Sequence, residues 1–125
     1  MKRELMALLI GAPDLAALAP GGINWSLHPA DVGAAYLVLS QISMTPRRSN
    51  TARSQPTRYR VQIDGYAPSA LEAEELGRAV VATLDGHHAD PFPGIFLIGA
   101  SDMVEGDADH PIHRLSMDFT IIFRG

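Results

Sequence analysis

The chain has 125 residues and a mass of 13.4 kDa, enough for one domain that buries roughly two-thirds of its unfolded surface without staples. Ten Lys and Arg against fourteen Asp and Glu leave a net charge of −4, too mild and of the wrong sign for a general nucleic-acid binder. With no cysteine, disulfides, thiolate nucleophiles and sulfur-based zinc sites are excluded, and no apolar stretch approaches the ~20 residues of a membrane helix.

Leu5 to Ile10 follows a polar lead-in, Met1-Lys2-Arg3-Glu4, and is rich in helix formers. No secretory cleavage pattern follows, so this reads as a helix start in a soluble protein made in the cytosol. Gly11-Ala12-Pro13 stops the helix. A second short helix is expected from Asp14, read as its cap, to Ala19, before Pro20-Gly21-Gly22. Ile23 to Leu27 reads as a short strand. Ala35 to Met44 reads as a central strand, because Tyr36-Leu37-Val38-Leu39 is apolar on both faces. Pro46 to Thr57 has two prolines and no large apolar residue, and is expected to be a mobile loop.

Arg58 to Tyr66 alternates. Tyr59, Val61 and Ile63 point one way, and Arg58, Arg60, Gln62 and Asp64 form a wet face. Ser69 and Glu72 make a capping box ahead of a helix whose Ala73, Leu76, Val80 and Leu84 share a face. Glu74 and Arg78 form an i,i+4 pair of favourable polarity, and Asp85-Gly86 ends the helix. Ile95 to Ile98 reads as a short buried strand that could continue through Met103. Glu105 to Pro111 is a turn. His113 to Arg124 alternates best, with Leu115, Met117, Phe119, Ile121 and Phe123 on one face. The order predicts a single α+β domain over residues 1–125: a mainly antiparallel sheet with a capped central helix and an N-terminal helix packed on one face.

No nucleophile elbow, Walker lysine loop or dinucleotide fingerprint is present. The strongest metal-like constellation sets His87, His88 and Asp90 against Asp107, Asp109, His110 and His113. These residues sit in Pro- and Gly-rich turns, where Asp and His are usually solvated or bond locally, so no metal site is expected.

Charge placement is more informative. Arg47, Arg48, Arg53, Arg58 and Arg60 are five of the ten basic residues, with no acid among them. From Asp85 to Asp109 there are six acids and no Lys or Arg. Ordinary solvated loops would account for this pattern. The sharper reading is a head-to-tail subunit contact, with Arg47, Arg48, Arg53, Arg58 and Arg60 facing Asp102, Glu105 and Asp107 of a neighbour. Trp25, the sole tryptophan, is expected in or beside the core, with interface anchoring as the alternative.

The helix over Glu4 to Ile10 is followed by the strand Ala35-Tyr36-Leu37-Val38-Leu39-Ser40-Gln41-Ile42 and an Arg/Ser/Thr-rich loop. Then come Tyr59-Arg60-Val61-Gln62-Ile63-Asp64-Gly65-Tyr66-Ala67, the helix Leu71 to Leu84 and the closing His113 to Phe119. Over nearly its whole length this pattern resembles the tail completion, or tail terminator, family of long-tailed bacteriophages, prophages and gene transfer agents. The resemblance implies an α+β fold in a hexameric ring on top of the tail tube. Such a ring stops tube polymerisation, joins the tail to the head connector and leaves a lumen for DNA. It implies no enzyme activity, cofactor, metal or membrane, and a place in the host cytoplasm and then at the neck of the virion. Two other classes stay open: a small enzyme using His and Asp near 87–113, and a nucleic-acid module using the arginines at 47–60.

Overall fold

The computed structural model describes residues 1–29, 33–46 and 55–125. Three helices, α1 (Lys2–Ile10), α2 (Pro13–Leu18) and α3 (Ala70–Leu84), accompany five strands. The strands are β1 (Ile23–Trp25), β2 (Tyr36–Thr45), β3 (Thr57–Ala67), β4 (Gly94–Gly106) and β5 (Pro111–Phe123). They form one sheet in the order β1-β2-β3-β5-β4. Only β1 and β2 are parallel; the other neighbours are antiparallel, as the alternation in β3 and β5 implied. The α+β class is therefore as expected.

Local chemistry accounts for the element ends. Ser69 Oγ accepts the Glu72 amide at 3.2 Å, which starts α3, and Arg78 reaches Glu74 at 2.8 Å along its surface. Asp14 is not the cap of α2. Ala12 holds that position and Pro13 is the first helical residue, where a missing N–H costs nothing and the fixed φ suits the turn. β1 stops at Trp25, short of Leu27, because Ser26 takes φ 65 and turns the chain away.

All three helices cover the same sheet face. Leu5 and Leu9 of α1, Leu15 of α2, and Ala73, Leu76, Val80 and Leu84 of α3 pack on Leu37, Leu39, Val61, Ile63, Met117, Phe119 and Ile121. Gly77 lets α3 approach β5 closely, since a Cβ there would collide with Leu115 Cδ2. Trp25 is half-buried against this core, with Lys2 Nζ 5.2 Å above its ring. On the opposite face a small second cluster of Tyr36, Val38 and Tyr66 explains why the start of β2 is apolar on both sides.

Two expectations about exposure fail. In the run Ile95–Ile98 only Ile95 is buried, while Phe96 and Ile98 are 52% and 54% exposed. β4 is an edge strand, and the helices shield one face only. Asp64, expected on a wet face, is 4% exposed. The second apolar cluster and Arg114 close over it.

Phe119 is fully buried at the centre of the helix-covered face. Phe119→Ala should lower unfolding free energy by about 3–5 kcal/mol, read from a urea titration.

Candidate assembly surface

Asp64 sits on β3 on the face away from the helices. Gln62 Nε2 donates to its two carboxylate oxygens at 3.1 and 3.0 Å, and Arg114 Nη2 donates to Oδ2 at 3.2 Å. The other arm of Arg114, Nη1, donates to Glu105 Oε1 at 3.0 Å. One guanidinium on β5 thus ties β3 to β4. Burial works against its charge, but the hydrogen bonds it donates to Asp64 and Glu105 outweigh that and hold its pKa above the usual arginine value. Arg114 also lies 5.7 Å over the Tyr66 ring, which stacks on Tyr36 with centroids 4.9 Å apart. His28 Nδ1 and the Tyr36 hydroxyl are 3.0 Å apart. Burial pushes both tyrosine hydroxyls up, away from ionisation.

The rest of this face is polar. Arg60 donates to Asp118 at 2.7 Å across the β3–β5 ladder, an exposed pair that contributes little to stability. Arg58 is exposed, in register with Thr45 on β2 and Ile122 on β5. Arg47, Arg48 and Arg53, with most of the expected loop at 46–57, lie outside the described residues. Of the acidic set, Glu105 is engaged within the chain by Arg114. Asp107 Oδ1 accepts the amides of Asp109 and His110 at 3.1 and 2.7 Å, holding the hairpin turn. Asp102 is exposed on β4. Arg60, Glu105 and Asp107 therefore have partners inside their own chain.

The β4–β5 hairpin reaches only about two residue pairs, Glu105–Ile112 and Gly106–Pro111, past the end of β3, since β5 is paired with β3 as far as His113. It turns at Gly106, whose φ of 83 and close approach to the His110 carbonyl leave no place for a side chain. Between this end of the hairpin and the first turns of α3 runs a groove of about 760 Å³, lined by Leu71, Ala73, Asp102, Val104, His113 and Leu115 among others. The groove escaped the sequence reading, because an exposed Leu71 or Val104 looks like any surface residue until the hairpin is placed. Asp64 and Arg114 were equally hidden, since their partnership spans 50 positions.

The metal-like residues are not brought together. His87, His88 and Asp90 precede β4, while Asp107, Asp109 and His110 follow it, so the strand of 13 residues holds them apart. At ~3.3 Å per residue that separation is about 40 Å. Among the described residues no group of three His, Cys, Asp or Glu is placed to hold a metal ion.

The molecule is an α+β sheet covered by helices on one face, with polar, internally paired charges on the other. The family model described as tail completion protein gp17 matches residues 3–124, and the chain belongs to that family. Its role is structural, in the assembly of a phage-type tail. No curated protein sequence matches the chain. Among solved structures, a chain of the virion of a native gene transfer agent particle is similar in fold. That match has a TM-score of 0.68 and 17% identity, over 94% of this chain and 90% of that one.

Two outcomes are expected. Arg114→Ala, which strands the buried Asp64 carboxylate, should cost ~3 kcal/mol in chemical denaturation, and Arg60→Ala at the exposed pair much less than 1 kcal/mol. Elemental analysis of untagged protein should find no stoichiometric zinc, manganese or iron.

Proposed function

We propose that this protein caps the tail tube, stops its polymerisation and joins the tail to the head connector, acting as a ring with a lumen for DNA and six subunits. Membership of the tail completion family over residues 3–124 carries the reading. The distribution of charge supports it. Asp102 and Glu105 lie on β4, at one edge of the sheet, and Arg58 on β3 lies in register with Thr45 of β2, toward the opposite edge. A contact between unlike edges is heterologous, and such contacts generate rings when the rotation closes. Its partners are then further copies of itself, the tube protein and the connector, first in the host cytoplasm and finally at the neck of the particle.

A structural part fits better than either rival class. A His/Asp enzyme would need groups that β4 separates by its full length. A nucleic-acid module would use the arginines at 47–60, of which Arg60 is already paired with Asp118, and the net charge of −4 opposes it.

Replacing Arg47, Arg48 and Arg53 with Ala should leave thermal stability of the isolated protein nearly unchanged, as expected for charges in a polar segment with no large apolar residue. In particles the same change should cut joining. Electron micrographs should show unjoined heads and tails, or tails of irregular length. Normal infectious particles would exclude these arginines from the contact.

A further inference from the structure

Among the described residues, both edges of the sheet have an open stretch, and the two match. On one side β1 covers β2 only at Leu37–Leu39, and the Ser26 amide adds a last bond to the Leu39 carbonyl. From Ser40 to Thr45 the outer edge of β2 has no backbone partner among the described residues. On the other side, β4 is held near its start, where Ile95 bonds to Gly86 and His87 and the Leu97 amide to Asp85. From Gly99 to Gly106 its outer edge has no partner among the described residues. Long, exposed strand edges are templates for pairing with another chain.

Resting on the ring reading above, we propose that neighbouring copies join by antiparallel pairing of the β4 edge, Gly99–Gly106, with the β2 edge, Ser40–Thr45, of the next copy. Strand directions allow it. β2, β3, β5 and β4 alternate in direction, so β2 and β4 run oppositely. A second copy set beside the first, with its helices on the same side, presents β2 to β4 in antiparallel sense.

Charge selects the partner. The β4 edge carries Asp102 and Glu105, with Asp107 and Asp109 beyond it. Pairing β4 with another β4 would set acids against acids. The β2 run, Ser40-Gln41-Ile42-Ser43-Met44-Thr45, carries no charge. Lys2 and Arg3 line a depression with Gln41 and Tyr59, and Arg58 lies opposite Thr45. Glu4 lines the same depression, but the Met1 ammonium lies 3.1 Å from its carboxylate. The apolar complement is present as well: Ile42 and Met44 are about half exposed, as are Met103 and Val104 across the joint.

The register sets the geometry. Reading across the sheet, Ser40–Thr45 lies level with Gly99–Gly94 of its own β4. Meeting Gly99–Gly106 of a neighbour requires a slide of about six residues, or ~20 Å, over a repeat of four strands, ~19 Å wide. That corresponds to strands tilted by about 45° to the ring axis, at the upper end of the range in closed barrels. The same slide carries β1 of the next copy past the hairpin tip, so β1 does not block the joint.

The chain has no cysteine, which makes cross-linking a clean test. Ser43, Ser101 and Met103 are exposed and lie on the helix-free face. The double variants Ser43→Cys/Ser101→Cys and Ser43→Cys/Met103→Cys are introduced into whole particles and oxidised. A bridge needs Cα atoms within about 7 Å. At least one pair should give a reducible ladder ending in a closed covalent ring, and each single variant should stay monomeric on a denaturing gel. Dimers from Ser101→Cys or Met103→Cys alone would replace the proposal with β4–β4 pairing. A ring visible in the particle without any ladder would overturn the edge pairing and leave the ring reading standing. Particles in which this chain forms no ring would remove both.

Discussion

The ladder between β3 and β5 is the interaction on which the rest of the molecule depends. Eleven residues, Thr57–Ala67, run in register against Phe123–His113. On one side of that ladder Val61, Ile63, Met117, Phe119 and Ile121 make the floor that the helices cover. On the other side it brings Asp64 and Arg114 within reach of each other. β2 and β4 attach to its two flanks, so the positions of both open edges follow from a single register. A slip of one residue would turn Phe119 outward and Asp118 into the core, which makes every odd-numbered slip costly.

The ion pairs on the helix-free face serve unequal purposes. Arg60 and Asp118 meet in solvent, where water competes and the net gain is small. Arg114 and Asp64 meet under Tyr66, where an unpartnered charge would be expensive. Because Arg114 also holds Glu105, the buried pair ties the end of the β4–β5 hairpin to β3 on the helix-free face, while the groove beside α3 lies on the other face.

Much of this could be read from the chain. The Ser69 cap, the apolar stripe of α3 and the alternation of β5 each specify local structure by a mechanism confined to neighbouring residues; all three are found, the capping box by its Ser69 half, which accepts the Glu72 amide. The difficulties lie where exposure is decided by distant elements. Ile95-Phe96-Leu97-Ile98 has the composition of a doubly buried strand, but burial depends on what lies on the second face, and nothing local encodes that. Asp64 has the spacing of a solvent-facing residue, and only the arrival of Tyr36 and Arg114, from strands on either side, covers it. Asp14 is a good cap by residue type, yet the preceding proline starts the helix one position earlier. Of the surface residues singled out by charge, Asp102 and Arg58 are exposed, whereas Glu105 and Asp107 are engaged within their own chain, and pairing of that kind is invisible in a linear pattern.

The position of β5 has a consequence for the order of events during synthesis. β5 lies between β3 and β4 in the sheet but follows both along the chain. Until it has left the ribosome, β4 has nothing to pair with and β3 lacks one of its two neighbours. The nascent chain can gather α1, α2, β1, β2, β3 and α3, but it cannot display the β4 edge. If copies pair through the β2 and β4 edges as proposed, a nascent chain still lacking β5 would offer only one of the two edges, and strand order would delay linkage until β5 is made.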